Sequence, residues 1–148
     1  SAAGWNIQSV LVGLDGVTVL QPLSEQSAQK LLTQWLMVYA QAWTQPLPVT
    51  FKAGLAFVSE KISLQRAGHE AGNEAFDVLS NEAITDLALE KARKEFSDDF
   101  SESTDFARSL YVQRSFDHFD DMSKGLPVWA PLLYDDLVDA ATMQVGEL

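Results

Sequence analysis

Ser24 to Phe51 reads SEQSAQKLLTQWLMVYAQAWTQPLPVTF, and the rest of the chain can be arranged around it. Its apolar residues fall at Ala28, Leu32, Trp35, Leu36, Tyr39, Ala42 and Trp43. Steps of three and four line them up along one stripe of a helix of about five turns. Ser24 stands where an N-cap belongs, and Glu25 beside it suits the positive end of the helix dipole. Pro46 and Pro48 end the helix, because each lacks an amide hydrogen and pushes its predecessor toward extended geometry. Two tryptophans and a tyrosine on one stripe present a large apolar area. The expectation is that this stripe is core and that the other elements pack on it.

Working outward toward the N-terminus, IQSVLVGL (Ile7 to Leu14) and VTVLQ (Val17 to Gln21) are short and β-branched. Asp15-Gly16 between them predicts a hairpin, since glycine tolerates the backbone of tight hairpin turns. Two strands alone are marginal in water, so the pair must lie on helices or form the edge of a larger sheet. Ser1-Ala2-Ala3-Gly4 reads as a cloning scar, leaving 5–148 as one domain.

Toward the C-terminus, Thr50 can cap a second helix with Phe51, Leu55, Val58 and Ile62 on one face. Gln65 to Leu79 has no trusted period and is expected to be a loop, with room for one helical turn. A third helix is expected from Ser80 or Asn81 to Phe96, with Ile84, Leu87, Ala88, Ala92 and Phe96 inward. Ser97 to Ser101 breaks it. A fourth then starts at Ser101 or Ser103 and runs to Phe116 through Phe106, Leu110 and Tyr111. Asp117 to Asp121 is expected to be a connector. The last helix opens at Ser123 or Lys124, with Leu126, Trp129, Leu133, Leu137 and Ala141 inward. The expected fold class is mainly α (α+β), with about five helices and a small N-terminal hairpin.

Composition bounds the partners. The chain has 148 residues, 47% of them hydrophobic, with four tryptophans and no cysteine. That is a folded globule's composition, without disulfides or thiolate metal sites. No apolar run approaches the ~20 residues of a membrane span, so no membrane partner is expected. Ten Lys and Arg against 21 Asp and Glu give a net charge of −11. DNA affinity comes mainly from neutralising phosphates, and this balance opposes it. The basic run Lys91-Ala92-Arg93-Lys94 is flanked by Glu90 and Glu95 and suits ion pairing at a helix C-terminus.

The candidate chemistry is acidic. Asp98-Asp99, Asp120-Asp121 and Asp135-Asp136 could each contribute to holding a divalent metal, as in a small metal-dependent hydrolase or nuclease. Each pair also sits where solvated carboxylates are ordinary, at a helix end or on a polar side. Restriction-type nucleases place an acidic residue two before a catalytic lysine. Here Lys30, Lys52, Lys61, Lys91, Lys94 and Lys124 are preceded at that distance by Ala28, Thr50, Ser59, Leu89, Ala92 and Met122. His69-Glu70 starts a zinc-protease pattern, but Asn73 stands where the second histidine belongs. His118 has no second histidine near it. No catalytic residue, metal ligand or cofactor is therefore assigned.

Four stretches in series resemble the C-terminal region of the RecC family, the gamma subunit of exodeoxyribonuclease V (RecBCD). They are Leu31 to Val58, Ala88 to Phe96 (ALEKARKEF), Tyr111 to Phe116 (YVQRSF) and Leu126 to Leu133 (LPVWAPLL). Their order and spacing match from about Val10 to Ala141, and Gly13 to Ser24 is similar to the family's strand-turn-strand lead-in. The resemblance implies a cytoplasmic, restriction-endonuclease-like domain without catalytic residues, acting in DNA repair and recombination. Its implied partners are the RecB and RecD subunits and the rest of RecC, with DNA reached only through the whole complex. The hairpin would be the last edge of the nuclease-like sheet. Val128, Leu132 and Val138 lie off the core stripe expected for the last helix, beside Asp135, Asp136 and Asp139. They are the candidate interface residues.

Overall fold

The computed structural model describes residues 9–13, 16–20, 22–70, 80–97 and 103–144. Strands β1 (Ser9–Gly13) and β2 (Gly16–Leu20) lead into helices α1 (Glu25–Ala42), α2 (Phe51–Glu70) and α3 (Asn81–Phe96). Three short helices follow, α4 (Asp105–Arg108), α5 (Leu110–Ser115) and α6 (Phe119–Ser123). Helix α7 (Leu126–Ala140) then runs directly into β3 (Ala141–Gln144). The chain is mainly helical, and no helix among the described residues is long and apolar enough to cross a membrane.

The hairpin register pairs Ser9 with Leu20 and Gly13 with Gly16; the connecting residues, 14–15, lie outside the described residues. The hairpin is joined by a strand of the same chain. β3 runs antiparallel to β2, giving the order β1-β2-β3. Ala141, expected inside the last helix, is the first residue of that strand.

The organising element is α2 rather than α1. It packs most extensively on α3 and then on α7. The core comprises Ala53, Phe57 and Val58 of α2, Ala88, Ala92 and Phe96 of α3, Phe119 and Met122 of α6, and Leu126 and Ala130 of α7. Five of these ten residues are large and four are alanines, so the bulky side chains fit against backbones that can approach closely. Gly54 belongs to the same arrangement: a Cβ there would lie 2.8 Å from Val49 Cγ2 and against the Tyr134 ring. Phe96 anchors two tilted ring contacts, with Phe106 at 5.6 Å and Phe119 at 5.8 Å between centroids.

Several expected phases shift. On α2 the buried face is Ala53, Gly54, Phe57 and Val58, leaving Phe51 exposed. The helix also continues through Gln65 to Glu70, so the expected loop begins no earlier than residue 71; 71–79 lie outside the described residues. On α3 the expected Ile84, Ala88, Ala92 and Phe96 are buried, but Leu87 is exposed and Leu89 packs on the core instead. The expected fourth helix is two short ones, capped by Thr104 and Ser109, with Leu110 and Tyr111 exposed. Part of the expected connector is helical, and α6 delivers Phe119 and Met122 to the core.

Candidate functional site: the open face of the first helix

Helix α1 forms where its sequence predicts. The Ser24 hydroxyl accepts from the Ser27 amide at 3.1 Å, and the helix stops at Ala42, just before the Pro46-Leu47-Pro48 corner. What differs is the covered face. Leu31 and Gln34 are half-buried and Val38 is buried, and α1 meets α7. Gln34 Nε2 donates to the Leu132 carbonyl at 2.6 Å, fastening the two helices.

The stripe expected to be core is solvent-facing. Leu32 is 58% exposed, Trp35 42%, Leu36 58%, Tyr39 61% and Trp43 76%. Tyr39 and Trp43 hold an edge-to-face contact, with centroids 5.9 Å apart and planes at 87°. Single exposed apolar residues need no explanation, but a contiguous row rimmed by polar residues marks an interaction surface. A signal for it was in the sequence. Trp35 to Ala40, WLMVYA, is apolar without a break, and a helix apolar on more than one face is one covered on more than one side.

A second apolar surface lies beyond the corner. A shallow groove of about 360 Å³ is lined by Pro46, Leu47, Val49, Phe51, Tyr111, Val112 and Phe116, with Thr50, Asp105, Ser109 and Ser115 as its polar members. Asp105 holds this region together. One of its carboxylate oxygens accepts from Thr50 Oγ1 at 2.6 Å, Lys52 N at 2.8 Å and Ala53 N at 2.9 Å. It caps the N-terminus of α2 from more than fifty residues away, and Lys52 Nζ reaches the Ser103 carbonyl beside it. Thr50, expected to cap α2 with its own oxygen, donates its hydroxyl to Asp105 instead. Burial, with the Asp105 charge adding, holds the Tyr134 phenol above its ordinary range.

The three interface candidates on α7 separate. Val128 is exposed, Leu132 is half-buried with its carbonyl bound by α1, and Val138 packs on the core. The helix buries Leu126 and Ala130 and leans Tyr134 and Val138 inward, so its inward row advances in steps of four. Leu137, expected inward, is exposed, while Trp129 and Leu133 are half-buried. Pro131 lies inside α7, within a helix that nonetheless continues to Ala140.

Among the described residues, the pairs Asp120-Asp121 and Asp135-Asp136 do not converge. Asp120 pairs with Arg93 at 2.7 Å, and Arg93 also lies over the Phe119 ring. Asp121 accepts from the His118 amide at 2.9 Å, the service of an N-terminal cap. Asp135 is held above the usual carboxylate range by burial, with Asp139 and Asp136 adding to the rise and Lys61 opposing it. Asp98-Asp99 lies outside the described residues. His69-Glu70, expected in a loop, ends α2. Among the described residues, no group of three or more His, Asp or Glu is placed to hold a metal. No protein-family model matches the chain, and no curated protein or solved structure matches it.

Proposed function

We propose that this chain is a non-catalytic assembly domain, built to dock other protein surfaces in a RecBCD-type helicase–nuclease. The observation that carries the docking role is the apolar surface outside the core: the α1 row, together with exposed Phe51 and Tyr111 at the groove. Leaving that much apolar surface in water forgoes stabilisation that a partner would supply, at roughly 25 cal/mol per Å² covered. The assignment to RecC, and with it the inactive restriction-endonuclease-like character, is supported by the four sequence stretches and their order. RecB, RecD and the rest of RecC are then the partners, and DNA repair and recombination the process served.

Capture of purified RecB and RecD on the immobilised chain tests this. Retention of at least one subunit is expected, reduced severalfold by Phe51→Ser with Tyr111→Ser. Both side chains are exposed, so a thermal melt should show the variant folded. A folded chain that retains neither subunit overturns the assignment.

A further inference from the structure

Helix α1 is the least anchored of the long helices. Leu31, Gln34 and Val38 are drawn out of solvent along one narrow strip, and every other residue of the helix is exposed. Of those three, Val38 alone is buried. Among the described residues, the one hydrogen bond from α1 to another element runs from Gln34 Nε2 to the Leu132 carbonyl. None of its described residues belongs to the core or to the partly buried apolar residues packed against it. By contrast, α2 and α3 hold Ala53, Phe57, Val58, Ala88 and Ala92 wholly away from water.

The two ends of α1 are tied down independently of that strip. Before it, β2 is held between β1 and β3, and β3 continues α7. After it, the Pro48 ring lies against Gly125, beside the start of α7. The links at either end of the helix, 22–24 and 43–46, are exposed. The chain can therefore change direction at both links without disturbing the core.

We infer that α1 is a strap, which unseats from α7 and reseats as one unit while the helical core stays folded. Local opening falls to elements with few buried apolar contacts, because its cost follows the contacts that are broken. Here one buried valine, one half-buried leucine and one side-chain hydrogen bond oppose it. Unseating bares the Leu132 side of α7 and lets the row of Leu32, Leu36, Tyr39 and Trp43 turn toward the surface it docks. The row is thus carried on a helix that moves without melting the domain. The strap stands on these contacts alone; its use in docking rests on the proposed function.

Native-state hydrogen exchange of the whole chain, followed by mass spectrometry across low urea concentrations, tests this. Helical stability in proteins comes mostly from tertiary packing, so α1 frays and its amides exchange once it leaves α7. They should exchange at least roughly a hundredfold faster than those of α2 and α3, with little dependence on urea, since little surface is uncovered. Gln34→Ala should speed α1 exchange about fivefold, the loss of one net hydrogen bond. Val58→Ala, in the core, should speed exchange in α2 and α3 and leave α1 as in the wild type. Two results overturn the strap: α1 exchange with the steep urea dependence of α2 and α3, or α1 accelerated by Val58→Ala as much as they are. Either would mean that the helix opens only with the whole domain. If Val58→Ala fails to fold, the urea dependence of the wild type decides by itself. A chain that retains neither RecB nor RecD but opens locally at α1 loses the assembly reading and keeps the strap; the converse result does the reverse.

Discussion

Asp105 shows how much one side chain can settle. Three donors converge on a single oxygen, and two of them are first-turn amides of α2 that have no partner within the helix. The carboxylate also meets the positive end of that helix's dipole. Replacing it with alanine leaves these donors unserved in a part-buried site, where each unmet bond costs about 1–3 kcal/mol. Asp105→Ala should therefore lose about 2 kcal/mol in a urea melt, and Asp105→Asn, which keeps an acceptor, clearly less. Equal stability of Asp105→Ala and wild type would mean that water serves those amides. Asp135 acts in the opposite sense. Its folded pKa is raised above the ordinary value of 3.8, so the folded state holds its proton more tightly than the unfolded chain does. Its contribution to stability falls as pH rises through that interval and stays unfavourable at neutral pH. Asp135→Asn should raise the melting temperature at about pH 7 and give no gain near pH 3, below both values. A gain that is equal at both pH values would exclude this cause.

At the scale of elements, the Pro46-Leu47-Pro48 corner sets how α2 leaves α1, and the two prolines are not equivalent. Pro46 is exposed, whereas the Pro48 ring lies on Gly125 so closely that a Cβ at Gly125 would collide with it. Gly125 in turn supplies the carbonyl that accepts from the Val128 and Trp129 amides at the start of α7. Pro46→Ala should cost only the restored freedom of the unfolded chain, about 0.4–1 kcal/mol. Pro48→Ala loses ring packing as well and should cost about 1–2 kcal/mol. Equal costs in a denaturant titration would show that the ring contact contributes nothing. Helix α1 stands in contrast, with a single buried residue. Helical stability in proteins comes mostly from tertiary packing, so the joint with α7 carries much of the order of this helix.

The whole molecule is acidic, with 21 Asp and Glu against ten Lys and Arg. Arg66, Arg93 and Lys94 are engaged with Asp139, Asp120 and Glu90, and these exposed pairs contribute little stability while neutralising the cations. Fluorescence anisotropy with duplex and single-stranded oligonucleotides should show no more binding than an acidic control protein. Salt-sensitive binding in the micromolar range at physiological ionic strength would overturn that expectation. The fold tolerates this charge because its core depends on α2, α3, α6 and α7, and among the described residues no charged one is a core position.

Local chemistry in the sequence was enough to place most elements. Serine caps start α1 and α3, prolines close the first helix, and β-branched runs make the hairpin, because each of these preferences acts within a few residues. The net charge and its spread were equally legible. Which face of a helix becomes core was not. Periodicity reveals that α1 has an apolar stripe, but burial depends on which neighbour arrives, and α7 took the Leu31–Val38 side. The same non-local choice moved the inward row of α7, turned Ala141 into a strand against β2, and brought Asp105 to the start of α2. Only tertiary structure could leave the aromatic row of α1 open, because the packed side of an apolar helix is decided by the surfaces that meet it.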